Sequence, residues 1–276
     1  MGNRRKTGKE QYYTPEALAL ELTIETESVI GPIRDKTVLE PAGGTGSFVR
    51  AAISRGAGSI LSFDIEPLNE LVQKGDFLSQ ELELDGAITI SNPPFGRNNS
   101  LSIPFFNKAA SYSQAICFIV PRSWRKWSVI NRLDPKFRLV HDRNLEIDYV
   151  NEKGEQIAPK NRLATCFQIW VRAESPRQRI TVKDMGLIKK VTPEEADVSL
   201  TIFGYGCGKL KTEFERKANS TQMFIKLNHP KALEALRSVD YSKFYQNTAY
   251  TEALALTEIN YLLNEYILDD PMIEGI

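Results

Sequence analysis

The tightest local constraint in this chain is a short apolar run closed by two prolines. Ala87-Ile88-Thr89-Ile90 leads through Ser91 into Asn92-Pro93-Pro94-Phe95. A brief run rich in β-branched residues and ended by turn formers reads as a buried parallel strand. Neither proline can extend a hydrogen-bonded ladder, and each drives the residue before it into an extended conformation. Asn92 is therefore held at the carboxyl end of a strand on a stiff, outward-turned backbone. In open α/β sheets ligands bind at that end. The tetrapeptide offers an amide acceptor, an outward carbonyl and an aromatic face, a set that suits an exocyclic amine on a planar ring.

A second segment narrows the reading. Lys36–Glu40 has the pattern of another strand, and it runs into Pro41-Ala42-Gly43-Gly44-Thr45-Gly46-Ser47-Phe48 and a helix expected from Val49. Strand, glycine-rich turn and helix start form a ligand cradle, because glycine lets the backbone approach closely and the first N–H groups of a helix attract polar or anionic groups. The spacing is not the dinucleotide fingerprint, whose third glycine would fall on Val49. No Gly-Lys-Ser/Thr follows, which excludes a phosphate-binding P-loop.

With both segments in view the chain resembles the S-adenosylmethionine-dependent amino-methyltransferases of the N6-adenine type. Glu40-Pro41-Ala42-Gly43-Gly44-Thr45-Gly46-Ser47-Phe48 is similar to that family's cofactor loop, with Gly43 where the family has cysteine, a change expected to be harmless. Asn92-Pro93-Pro94-Phe95 is similar to its catalytic loop, and Gln11-Tyr12-Tyr13-Thr14-Pro15 to a segment that precedes the cofactor loop. The resemblance spans roughly residues 11–174. It implies a Rossmann-like α/β fold with a seven-stranded sheet, S-adenosyl-L-methionine as cofactor, and catalysis by Asn92, Pro93, Pro94 and Phe95. It implies cofactor contacts from Tyr13, Thr14, Glu40, Pro41, Gly44, Gly46, Phe48, Asp64, Ile65, Asp76, Phe77 and Asn92. Asp64 closes a strand over Ser59–Phe63 about 20 positions after the glycine loop, where an acidic residue can bind ribose hydroxyls. Asp76 is expected to accept from the adenine amine of the cofactor.

Composition fits an enzyme with a packed core. The chain has 276 residues, 42% hydrophobic and 25% charged, enough for a mid-sized domain and a smaller one. No apolar stretch approaches the ~20 residues of a membrane span, and the first residues lack the apolar region of a secretory signal, so a cytoplasmic protein is expected. Cys117, Cys166 and Cys207 are widely spaced; Cys117 and Cys166 lie within apolar runs and read as buried free thiols of a reducing compartment. With only two histidines, no metal site is expected.

Formal net charge is zero, but its distribution is uneven. Between Arg97 and Arg143 lie nine basic and two acidic residues. A basic region directly after the catalytic loop fits a groove that tracks phosphates, with Arg97, Arg122, Arg125 and Lys126 the candidate contacts. DNA is the expected partner and RNA the alternative, in a monomer or dimer. Residues 1–10 read as a basic arm, 11–174 as the catalytic core and 175–276 as a small α+β recognition region. Within the core, Thr14 is expected to cap a helix that begins at Pro15. The stretch between Phe95 and Phe105 is expected to be a flexible polar loop. Further strands are expected over Ala115–Val120, Phe137–Val140 and Leu163–Val171, with a turn at Asn151–Gly154. Guanine-N2 and protein-glutamine methylation fit less well, the first because of Tyr-Thr-Pro and the second because of Phe95. A catalytically inactive recognition subunit is the alternative of a different class.

Overall fold

The computed structural model describes residues 13–151, 155–156 and 163–275. The arm over 1–10, Gln11, Tyr12 and the turn residues Glu152–Gly154 lie outside them. The chain divides into two compact units. The first holds the described residues of Met1–Pro121 and Arg132–Arg177; the second holds those of Arg122–Asn131 and Gln178–Ile276. The short segment Arg122–Asn131 thus clusters with the second unit, although the sequence reading placed it in the catalytic core.

The first unit is built on a seven-stranded sheet. Its strands are β1 (Thr37–Glu40), β2 (Ser59–Asp64), β3 (Gln73–Lys74), β4 (Ala87–Ser91), β5 (Ser113–Pro121), β6 (Phe137–Leu145) and β7 (Thr165–Arg172), in the order β3-β2-β1-β4-β5-β7-β6. All neighbours are parallel up to β5; β7 runs antiparallel to both β5 and β6. This is the Rossmann-like seven-stranded sheet expected from the sequence. Strand order reverses between β1 and β4, so their carboxyl ends flank the crevice where such sheets bind ligands.

Burial explains the strand sequences. All five residues of β4 are buried, as expected for a parallel strand covered on both faces. On one face, helices α1 (Glu16–Ile30) and α2 (Ser47–Ser54) supply Leu22, Phe48 and Ala52 to a cluster with Val38, Ile88, Ile90, Cys117 and Ile169. Buried positions of α1 fall at Ala19, Leu22, Thr23 and Thr26, one helical face. The two buried threonines satisfy their hydroxyls on the carbonyls four residues back, at 2.7 and 2.8 Å. On the opposite face, helix α3 (Ser102–Ala110) sets Phe106 edge-on against Phe118, Phe137 and Trp170, with centroids 5.6–6.2 Å apart.

Two elements differ from expectation. β6 continues to Leu145, past the apolar stretch that announces it. It is an edge strand whose polar residues find partners: Arg143 pairs with Glu21 and Glu25 of α1, His141 with Glu25, and Asp142 with Gln168. Thr14 does not cap α1. Pro15 occupies the cap position, with no side-chain bond to the helix, and Thr14 is used elsewhere.

The second unit has its own antiparallel sheet, formed by β9 (Ile188–Lys190), β10 (Val198–Thr201), β11 (Leu210–Lys211) and β12 (Gln222–Leu227) in the order β11-β10-β12-β9. A two-stranded ladder joins β8 (Thr181–Val182) to β13 (Ile273–Glu274). Short helix α4 (Trp127–Ile130) belongs to this unit, as do α5 (Ala232–Ser238), α6 (Ser242–Tyr245) and α7 (Leu256–Leu268). Leu200, Ile225, Ala235, Leu236, Ile259 and Leu263 form its core.

Candidate active site

Four loops, at the carboxyl ends of β1, β2, β3 and β4, meet around a cavity of about 620 Å³, within the usual size of a small-molecule site. The loop after β1 provides its floor. Gly44 has φ +48°, and a Cβ there would come within 2.9 Å of the Tyr13 ring, so only glycine allows this approach. Gly43 is equally constrained by space: a Cβ would meet Ser62 Oγ at 2.3 Å and Val72 at 2.9 Å. Glycine is therefore required at position 43, because Ser62 and Val72 fill the space a side chain would take.

Glu40, at the end of β1, is 2% exposed and lines the cavity. Its Oε1 accepts from the Ala42 N–H at 2.9 Å and from the Ser91 hydroxyl at 2.5 Å. One carboxyl group thus joins β1 to β4 across the point where strand order reverses. Burial pushes its pKa up to about 8; the bonds from Ser91 and Ala42 oppose this, and the charge of Asp64 adds to it. Asp64, at the end of β2, accepts from the Gly44 N–H at 2.8 Å and, through its other oxygen, from the Glu66 N–H at 2.8 Å. It fixes the glycine loop while facing the cavity.

The catalytic loop forms the other wall. Asn92, Pro93, Pro94 and Phe95 all line the cavity. The Asn92 Nδ2 donates to Thr14 Oγ1 at 3.2 Å, which turns the amide so that its oxygen is on the opposite side. Thr14 is 5% exposed and lines the cavity too. Phe95 is 7% exposed; most of its ring packs in the core, and the remainder lines the cavity. Its carbonyl accepts from the N–H groups of Leu101 and Ser102, at 3.2 and 3.3 Å. The stretch after Phe95 is therefore a closed turn rather than an open loop, with positive φ at Gly96, Asn98 and Asn99.

Of the residues expected to bind cofactor, Tyr13, Thr14, Glu40, Pro41, Gly44, Phe48, Asp64, Ile65, Asp76, Phe77 and Asn92 come together on the cavity. Gly46 does not. It caps α2 at φ +78°, with Asn69 where a side chain would go. Asp76 also caps the turn that follows, accepting from the Leu78 N–H and the Ser79 hydroxyl, and Phe77 is wedged between Phe63 and Phe105. Ser100, Leu101 and Phe105 line the cavity without having been singled out; the apolar pattern of α3 was the available signal.

The basic candidates divide. Arg97 is exposed and lines the cavity. Arg122, Arg125 and Lys126 belong to the second unit. Lys126 is no free phosphate ligand: its Nζ donates to both carboxylate oxygens of Glu258 at 2.9 and 3.1 Å, and the Glu258 side chain is 4% exposed. Among the described residues no group of three or more His, Cys, Asp or Glu is placed to hold a metal ion, and no helix is long and apolar enough to cross a membrane. Among the described residues no disulfide forms: Cys117 and Cys166 are buried and Cys207 is half-buried.

No protein-family model matches the chain, and comparison with curated proteins gives no match. Solved structures resemble it in fold. A candidate RNA methyltransferase from Pyrococcus horikoshii is 23% identical, with a TM-score of 0.49, over 62% of this chain and 92% of its own. A candidate class I S-adenosylmethionine-dependent methyltransferase from Listeria monocytogenes is 13% identical, with a TM-score of 0.44, over 60% of this chain and 63% of its own. A modification subunit of a candidate type I restriction enzyme from Vibrio vulnificus is 14% identical, with a TM-score of 0.45, over 88% of this chain and 58% of its own. At such identities the likeness is one of fold, and the chemistry has to be argued from the cavity's own residues.

Proposed function

We propose that this chain transfers a methyl group from S-adenosyl-L-methionine to the N6 amine of adenine in DNA. The observation that carries the reading is the convergence of two motifs far apart in sequence: the glycine loop of Pro41–Gly44 and Asn92–Phe95 line one cavity.

The cavity's residues fit such a cofactor. Backbone at Gly43 and Gly44 is bare where any side chain would clash. Asp64 and Asp76 offer carboxylate acceptors for hydroxyl and amine groups, and the exposed side chain of Ile65 offers an apolar surface for a planar ring. The cofactor would supply an electrophilic methyl group on a positively charged sulfur.

The protein's part is to hold and activate the amine. An adenine amine is a weak nucleophile because its lone pair is delocalised into the ring. In this proposal the Asn92 side-chain oxygen and the Pro93 carbonyl accept its two N–H bonds and draw the nitrogen toward tetrahedral geometry. The freed lone pair then points at the incoming methyl. With the cofactor bound, the carbon–sulfur bond would break as the nitrogen–carbon bond forms, and the methylated nitrogen would shed one proton. That product is acidic enough to need no strong base. Thr14 holds the Asn92 amide in the required orientation, and much of the rate would come from alignment. Pro94 and Phe95 flank the ring. A base in a duplex must leave its stack to reach Asn92, at a cost of a few kcal/mol. Arg97, exposed beside the cavity, is placed to meet a neighbouring phosphate. The second unit is proposed to read the target.

RNA is the second reading, because the contacts proposed for Asn92 and Pro93 go to the base and not to the sugar. Incubation with labelled S-adenosyl-L-methionine and matched DNA and RNA, each single- and double-stranded, separates the two. Label in DNA supports the proposal, label in RNA alone transfers the reading to RNA, and label in neither with bound cofactor overturns the nucleic-acid substrate.

A further inference from the structure

In the second unit, β10 and β11 form a hairpin whose tip is Phe203-Gly204-Tyr205-Gly206-Cys207-Gly208. All three glycines have positive φ, at +87°, +80° and +89°. No other residue type enters that region readily, so the alternation of glycines is what lets the tip turn so tightly. The base of the tip is braced. Gly208 lies against the Tyr241 ring, where a Cβ would come within 2.9 Å. The Gly204 N–H donates to the Glu252 carbonyl at 3.0 Å, and Phe203 forms a bridge with Ala253. Inside the tip, the N–H groups of Cys207 and Lys209 close on the carbonyls of Gly204 and Gly206.

This rigid turn holds Tyr205 fully exposed. Nothing lies within 4 Å of a Cβ built at Gly204 or Gly206, so the tyrosine stands alone at the apex. Phe203 and Tyr250 are also half exposed, at 49% and 48%. An aromatic ring with no contact contributes nothing to folding, and a braced mount for such a ring needs another reason. Lys209 and Lys211, both exposed, flank the turn on the same hairpin.

We infer that this hairpin is an aromatic finger on which a nucleic-acid base stacks, with Tyr205 as the stacking ring and Lys209 and Lys211 as phosphate contacts. Exposed aromatic rings beside basic residues are the usual platform for unstacked bases. The inference rests on the reading above and adds to it a base-stacking contact made by the second unit.

The test uses the full chain with fluorescein-labelled oligonucleotides of single- and double-stranded DNA and RNA, followed by anisotropy. Tyr205→Ala should weaken binding roughly tenfold to a hundredfold, and Tyr205→Trp should restore it and show quenched emission on binding. Cofactor affinity and melting temperature should stay at the wild-type values for both variants. Lys209→Ala with Lys211→Ala should lower the salt dependence of binding. If Tyr205→Ala binds every oligonucleotide as the wild type does, the finger is overturned, and a protein partner becomes the occupant to seek. If the wild type binds nucleic acid through Tyr205 yet transfers no methyl group to it, the finger stands and the proposed activity fails. If the wild type binds no oligonucleotide, both fail.

Discussion

Asn92 and Thr14 are 78 positions apart in sequence and share one hydrogen bond, so the chemistry proposed for Asn92 depends on a residue that looked like a helix cap. Thr14→Val keeps the shape and removes the acceptor. One hydrogen bond of this kind is worth about 1 kcal/mol, so the turnover number should fall roughly five- to tenfold, and Thr14→Ser should recover it; steady-state kinetics at saturating cofactor checks this. Gly43 supplies a second residue-level prediction. Gly43→Ala should cost about 1–3 kcal/mol of stability through overpacking, and Ser62→Gly in the same chain should return part of it, both read from denaturant unfolding. The motifs themselves were legible because they are local. The clash at Gly43 was not, since Ser62 and Val72 reach it only through the fold.

At the scale of elements, the central strands could be read from apolar runs closed by turn formers, and β1, β2, β4 and β5 lie where those runs are. β6 extends further because tertiary pairing with Glu21 and Glu25 of α1 sustains a polar edge strand, which no local pattern announces. The tie between β1 and β4 through Glu40 and Ser91 was equally hidden, although a carboxyl group at the end of a buried strand must find donors. Its consequence is a pH dependence. The folded pKa of Glu40 is about 8, above that of the unfolded chain, so the folded state holds a proton the unfolded state gives up. Stability from this group is full below the unfolded value, falls as pH rises from about 4.5 to about 8, and is level beyond. The slope is at most about 1.4 kcal/mol per pH unit. Glu40→Gln keeps an acceptor for Ala42 and Ser91 and should flatten that fall. Unfolding free energies of both chains from pH 5 to pH 8 decide it; parallel curves would mean Glu40 is ionised when folded.

For the whole molecule, the basic stretch that the sequence presents as one patch is divided by the fold. Arg97 stays with the cavity, whereas Arg122–Asn131 joins the second unit, anchored by Lys126 on Glu258. Within the second unit, Lys126 is taken up by Glu258 of α7. Removing Lys126 leaves a buried carboxylate without its partner, which costs about 3–5 kcal/mol in comparable pairs. Lys126→Ala should therefore lower the melting temperature by several degrees, where a phosphate contact would weaken nucleic-acid binding and leave stability intact. Each of the two compact units has its own core, and no local pattern in the sequence announces that Arg122–Asn131 belongs to the second.

The central claim is that one cavity holds both the methyl donor and an amine activated by Asn92. The measurement that reaches it most directly is a single-turnover transfer at saturating S-adenosyl-L-methionine, comparing the wild type with Asn92→Ala, with the product digested to nucleosides and weighed. The wild type should yield N6-methyladenine, and Asn92→Ala should lose on the order of a hundred- to a thousandfold in rate at saturating cofactor. A methyl group found on another atom, or an unchanged rate in Asn92→Ala, would contradict the account.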